Sequence, residues 1–469
     1  MAKDMEQLYS ERLARYVTAM RNGKPDCVPI RPFVAEFCAK YAGYTAQQVT
    51  HDYALAFDAA VKTATDFDWD AVVGNMVYVW TGLTQAIGTE YYAVPGIDLP
   101  ENTGFQYREP GEDAAYMGPD EYDALIEDPT GFLMNVWLPR ISTDVVGIGE
   151  ASTMRNNLSF LKGGMAMMEY FAAFGAQAVR LQEEAGMPGA IAGILKAPLD
   201  IIADKLRGYI GLTMDLLSQP EKVLAACEAL APHLCNVALS GADPTGNAPV
   251  TIWMHRGCVP FVTPEQFSTY YWPTLKPIIL ELWNQGIQTL FYAEGNWNHH
   301  LDAFAELPEG SIIYHVDQAD IFEVHEKLGD RFCLSGGIPN FLLSYGTPEQ
   351  VCEHAKKIID GVAQDGGYIM DASAIMQDDT NTENLRALTD FTREYGQYGG
   401  PTETVERGQG TGETPEWRET KRAPGAVIPW AEKLAELPKI QGDADIVKRV
   451  WEDVDALAYM YIWQCLESF

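Results

Sequence analysis

The chain has 469 residues, a hydrophobic fraction of 47%, and 33 basic against 66 acidic residues for a net charge of −33. A chain of that size buries a large core, its apolar fraction excludes a disordered polymer, and its charge excludes nonspecific nucleic-acid binding because phosphates are repelled. The eight cysteines form no CxxC pair, the N-terminus lacks the apolar core of a signal peptide, and no uncharged apolar run reaches membrane-spanning length; a cytoplasmic protein with reduced thiols and no membrane partner is the expectation.

Residues 5–22 read as an amphipathic helix with Leu8, Leu13, Tyr16, Val17 and Met20 on one face and Gly23 as its stop. DCVPIRPFV (26–34) is a strand candidate whose prolines suit an edge. Residues 45–66 read as a helix capped by Thr45, and DAVVGNMVYVW (70–80) as a second strand. Between Thr81 and Asn135 the composition predicts long loops, the kind of segment that carries function. Trp80, Tyr91 and Tyr92 border that region; they are candidates for an aromatic lid over a substrate or for plain loop anchors, and Trp80 and Tyr91 are the candidate substrate-binding residues. SFLKGGMAMMEYFAAFGAQAVRLQEEAG (159–186) reads as a helix whose methionine run belongs to the core.

The third strand candidate is AIAGIL (190–195), ending near Lys196. Five more apolar runs follow, and each meets a polar residue or a glycine turn: VTIWMHRG at His255, TLFYAEG at Glu294, IIYHVD at His315, FCLSGG at Ser335 and Gly336, and YIMDAS at Asp371. Helical stretches separate them, among them 264–283 after Thr263, GTPEQVCEHAKKIIDGV after Thr347, and ENLRALTDFTREYG after Asn381. Alternating strands and helices imply a parallel sheet. Closed on itself, it becomes an α/β (β/α)8 TIM barrel with chemistry at the C-terminal ends of the strands. His255, Glu294, His315 and Asp371 then share one mouth, the first three on consecutive strands.

After Gly399 a Gly/Thr/Glu/Pro-rich stretch reads as a linker, followed by the helix-like 445–467. The expected division is a barrel with N-terminal helices and substrate loops over 1–400, and a linker with a C-terminal helical extension over 401–469. Ile446, Val450, Val454, Leu457 and Tyr461 form the face expected to dock on the barrel or on a second copy of the chain.

The ordered string HRG, VTPEQFSTYYWPTLKPII, EGNW, LPEGSIIYHVDQADIFEVHEKLGDRFCLSGGIPNFLL, GTPEQV and GGYIMDASAIMQDDTNTENLRAL, over about 250–396, resembles the uroporphyrinogen decarboxylase superfamily. That resemblance implies the TIM barrel. Within the superfamily, no arginine-rich motif for a porphyrinogen's acid arms follows VPIRP, and the thiolate zinc site of the thiol-methylating branch is replaced by Tyr292-Ala293-Glu294 and by Ala374. The chain looks like the corrinoid-dependent methyltransferases that demethylate methyl ethers, notably aromatic ones.

This resemblance implies zinc held by Glu294 and His315, and a methyl group passed to the Co(I) corrinoid (cobalamin) of a partner protein. A zinc with carboxylate and imidazole ligands polarises an ether oxygen better than one held by thiolates. His255, Arg256 and Asp371 are the candidate catalytic residues: His255 as third ligand, proton donor or turn residue; Arg256 as carboxylate clamp, as orienter of a ligand or as ion-pair partner of a barrel acid; Asp371 as support for a ligand or as a ligand itself. A histidine inside an apolar strand is by itself a satisfied core residue; only the resemblance makes His315 a ligand. The alternatives are a decarboxylase of this fold, a methyltransferase for another methyl donor, and a non-catalytic corrinoid-binding barrel.

Overall fold

The computed structural model describes residues 4–74, 76–111 and 115–467; the side chains of 76–80 and 82 are outside that description. Helix α1 (Met5–Met20) opens the chain under an Asp4 cap and buries Tyr16, Val17, Ala19 and Met20. The stretch expected as one helix at 45–66 is two, Ala46–His51 and Tyr53–Asp66. Thr45 caps the first in a reciprocal box with Gln48, and Asp52 breaks the run by capping the second.

Six parallel strands stand side by side in chain order: β1 (Gly193–Lys196), β2 (Val250–Met254), β3 (Thr289–Ala293), β4 (Ile312–Val316), β5 (Cys333–Gly336) and β6 (Tyr368–Ile369). Two proline-rich or short segments complete the ring through single bridges. Ile30 pairs in parallel with Met370 beside β6, the Asp70 amide donates to the Ile30 carbonyl, and Val72 pairs in parallel with Gly189 ahead of β1. Pro29 and Pro32 lack donors, so the first position of this barrel cannot be a full ladder. The architecture is the expected α/β barrel. The second strand is shorter than expected: MVYVW belongs to the helix Met76–Ile87.

The region expected as loops is largely structured. Tyr92–Ala93 pairs with Gln106–Tyr107 in a short antiparallel ladder, and helical turns run from Tyr122 to Ile141. The long helix α2 (Met154–Ala185) follows a Thr153 cap. The helix Pro220–Gly241 is long and apolar enough to cross a membrane, but 67% of that window is buried inside the protein. Past residue 399 the chain runs as an irregular strap. Arg407 pins it by donating to the carbonyls of Gly286, Pro244 and Gln285.

The strap ends in helix α3 (Ala444–Glu467). Its docking face is not the expected one. Ile446, Val450, Val454 and Leu457 are exposed, whereas Tyr459, Ile462, Trp463 and Leu466 are buried beside Tyr461. Trp463 stacks on His233 at 4.8 Å, and the Glu467 carboxylate accepts from the Lys196 amide at 2.9 Å. The apolar count favoured the wrong stripe because aromatic side chains bury the most area and decided the orientation.

Candidate active site

Strand register sets the levels of the site. Met254 pairs with Ala293 and Ala293 with Val316, so the next residues, His255, Glu294 and Asp317, emerge at one height from three consecutive strands. All three line a cavity of about 550 Å³ at the C-terminal ends of the strands, a size that suits a small organic molecule. Tyr107, Phe261 and Ile375 supply apolar lining, and Lys196, Asp204 and Lys205 supply charge.

Asp204 and Lys205 come from a π-helical turn (Ile202–Leu206) directly after β1 and the short helix Pro198–Ile201; such turns recur at functional sites. The buried Asp204 carboxylate gathers three nitrogen-bearing partners. Its Oδ2 lies 2.8 Å from His255 Nδ1 and 3.2 Å from Lys196 Nζ, and its Oδ1 accepts from Arg256 Nε at 3.0 Å. Burial works against its charge, yet Lys196, His255 and Arg256 outweigh that and hold the carboxyl well below its usual range. Asp200, one turn back, is pushed up by burial and by Asp204. It accepts from the His255 and Arg256 amides and from the Tyr271 hydroxyl.

This arrangement fixes the His255 ring. With Nδ1 on Asp204, Nε2 points toward the cavity and lies 3.6 Å from Glu294 Oε2. Glu294 in turn accepts from Trp253 Nε1 at 2.8 Å. Asp317 accepts from the Gly295 amide at 2.8 Å, where Gly295 has a φ of 93° that favours glycine. Burial, then Glu294, raises its carboxyl to about 6. Lys205 lies over the Tyr91 ring at 4.2 Å and near Tyr107 at 5.3 Å. Burial first, then Lys196, pushes its ammonium well below the usual range.

Several expected residues are elsewhere. His315 sits inside β4, paired with Tyr292, two residues below Glu294 in register; that is about 6.6 Å along a strand. It is fully buried, with Nδ1 3.0 Å from the Ser335 hydroxyl, Nε2 3.0 Å from the Ser373 carbonyl, and Tyr292 stacked on its ring at 4.5 Å. Both nitrogens are engaged, and burial, then Arg31, lowers the ring to about 3. Asp371 is an internal strut. It accepts from the Phe33 amide at 3.1 Å and faces Arg31 at 3.5 Å.

Tyr91 is buried behind the wall, its hydroxyl donating to the Cys465 carbonyl, and Tyr107 is the tyrosine that reaches the cavity. The Trp80 side chain lies outside the described residues. Arg256 lines the cavity but is directed to Asp204 and, at 3.5 Å, to Glu109. The expected zinc pair is therefore not assembled: Glu294 faces His255, not His315. Among the described residues no three His, Cys, Asp or Glu side chains converge on a metal position, so the donor set does not fit the zinc site that the resemblance implies.

Sequence reasoning missed Asp200, Asp204 and Lys205. Their signal was present in APLDIIADKLRG, where charges interrupt an apolar stretch directly after a strand; buried charges there need partners.

Residues 165–395, just under half of the chain, match the family model described as uroporphyrinogen decarboxylase (URO-D), the superfamily that the sequence resembles. No curated protein sequence matches the chain. Among solved structures, a methyltransferase from Methanosarcina mazei is similar in fold, with a TM-score of 0.54 and 15% identity over 81% of this chain and 98% of that one.

Proposed function

We propose that this barrel is a methyltransferase that demethylates a small methyl ether, notably an aromatic one, and that its own proton donor rather than a metal assists departure of the oxygen. The carrying observation is the Asp204–His255 pair, oriented across an open cavity toward Glu294. The acceptor is the reduced corrinoid of a partner protein, which supplies the nucleophile for the methyl carbon.

An ether oxygen leaves poorly unless it gains a proton as the carbon–oxygen bond breaks. His255 Nε2–H donates that proton, the electron pair of the broken bond stays on oxygen, and the product leaves as an alcohol or phenol. Asp204, held ionised, stabilises the imidazolium before donation and fixes its tautomer. Glu294 and Asp317 lie on the same level beside the ring, on the open side from which water returns a proton to it. Phe261 and Tyr107 offer flat apolar walls for an aromatic substituent.

The similarity to a methyltransferase fold supports this reading. A decarboxylase for a polyacid needs free cations, but Lys196 and Arg256 are paired with Asp204, and burial drives Lys205 toward its neutral form.

The test mixes the purified chain with free cob(I)alamin and with methoxyarenes, methylthiols or methylamines. Conversion to methylcobalamin is expected with a methoxyarene, and pretreatment with dipicolinate should change its rate less than twofold. Absence of transfer from every ether sinks the function. A loss above tenfold that zinc restores would instead assign activation to a metal held by Glu294 and His255.

A further inference from the structure

Helix α2 was expected to bury its methionine run, and it buries Met167 but exposes Met165 and Met168. Ser159, Gly163, Met167, Tyr170, Gln177 and Leu181 are buried against the rest of the chain. On the opposite side Met154, Leu158, Leu161, Met165 and Met168 lie in water, and the row continues through exposed Ala172, Gly175 and Val179. The intervals alternate four and three without a break, the spacing of a coiled-coil seam. Met154 is 77% exposed, Leu161 57%, Met165 62% and Met168 63%. With Phe160 and Phe171 alongside, the face offers on the order of 800 Å², the share one partner gives to a standard interface. An apolar patch of that size on a chain carrying 66 acidic residues marks a contact surface.

We infer that the same helix of a second copy covers this seam, running antiparallel about a two-fold axis near Met165 and Met168. Volume is the first argument. The seam is large at its start (Met154, Leu158, Leu161) and small at its end (Ala172, Gly175, Val179). Antiparallel pairing sets Leu161 against Ala172, Leu158 against Gly175 and Met154 against Val179, so large side chains fill the space the small ones leave. Parallel pairing would crowd one end and leave voids at the other.

Charge is the second argument. The flanking position of successive heptads reads Arg155, Lys162, Glu169, Ala176, Glu183. It is basic in the first half and acidic in the second, although Arg155 also pairs with Asp144 of its own chain at 2.7 Å. Flanking charges set orientation in coiled coils. Antiparallel pairing puts Lys162 of one copy beside Glu169 of the other, twice by symmetry, whereas in parallel pairing the same row faces only the uncharged Asn157, Gly164, Phe171 and Ala178 of the other copy. Each copy carries −33, so long-range repulsion opposes association and added salt should tighten it.

Sedimentation equilibrium of the full chain tests this. The expected mass is twice 52.0 kDa, with tighter association at higher salt. Met165→Glu should give a monomer with unaltered methyl transfer, because the side chain is already exposed. Lys162→Glu and Glu169→Lys should each weaken the dimer about tenfold, and the two together should restore it. A full chain that remains monomeric at tens of micromolar overturns the proposal, including one whose seam binds a different protein. A dimer indifferent to Met165→Glu does the same, and a double variant no better than the singles overturns the antiparallel arrangement.

Discussion

Two aspartate–histidine pairs stand in this barrel, and they do opposite things. On the β1–β2 side, Asp204 holds His255 at 2.8 Å with Lys196 and Arg256 around the carboxylate. On the β4–β6 side, Asp371 lies 3.7 Å from His315 with Arg31 beside it. The first histidine lines the cavity and the second is sealed. The first carboxyl is held well below its usual range, whereas burial raises the second to about 7 despite Arg31. In the proposed function the first pair handles a proton, where several cations and solvent access meet, and the second is a structural joint, where burial dominates.

The largest effect expected from this contrast is catalytic. Asp204→Asn and His255→Gln should each lower kcat by about 10²- to 10⁴-fold, the range of a lost general acid or its orienting partner. Stopped-flow methyl transfer to cob(I)alamin measures it, with KM expected to move little. A His255→Gln enzyme within threefold of the parent would erase the distinction between the two pairs.

A smaller effect, of another kind, is expected on the sealed side. His315→Ala leaves the Ser373 carbonyl without its partner and the Ser335 hydroxyl with Arg31 alone, and opens a hole beneath Tyr292. Orphaned buried polar groups cost about 1–3 kcal/mol each, and the cavity adds to that. Urea unfolding should show this loss while the folded variant turns over within a few-fold of the parent. A variant of unchanged stability with turnover down a hundredfold would move His315 into the active site.

The sequence made the barrel and half of its mouth legible. Each apolar run with its polar end could be read, and for His255 and Glu294 the polar residue falls one position past the strand, where side chains reach the cavity. The same rule applied to IIYHVD selects Asp317, because His315 is still within β4. Resemblance favoured the histidine, and register shows why it is a layer too deep. Asp371 follows a strand that ends at Ile369, yet Ile30 bridges to Met370 and Ile338 to Ala372, so the wall continues past it. Those bridges join segments far apart in the chain, which local patterning cannot report. The methionine row of α2 failed differently: composition cannot say which side of an amphipathic helix meets the barrel when the other side awaits a second copy.

The finest test of the comparison is the sign of two pH dependences. Asp371 has its folded pKa raised to about 7 from an ordinary 3.8, by burial first and against Arg31. Folding therefore favours its protonated form. That contribution is complete below about pH 4 and is lost as pH rises toward 7. Asp204 has its folded pKa lowered because Lys196, His255 and Arg256 outweigh burial; its contribution is present above about pH 4 and is lost as pH falls below it. Urea unfolding of the parent, Asp371→Asn and Asp204→Asn between pH 3 and 8 reads both. Relative to Asp371→Asn, the parent should lose stability as pH climbs from 4 to 7. Relative to Asp204→Asn, it should gain stability as pH climbs toward 4 and then stay level. Slopes of the same sign would mean that the two carboxyls experience one environment, and the division between a charged working pair and a neutral structural pair would fail.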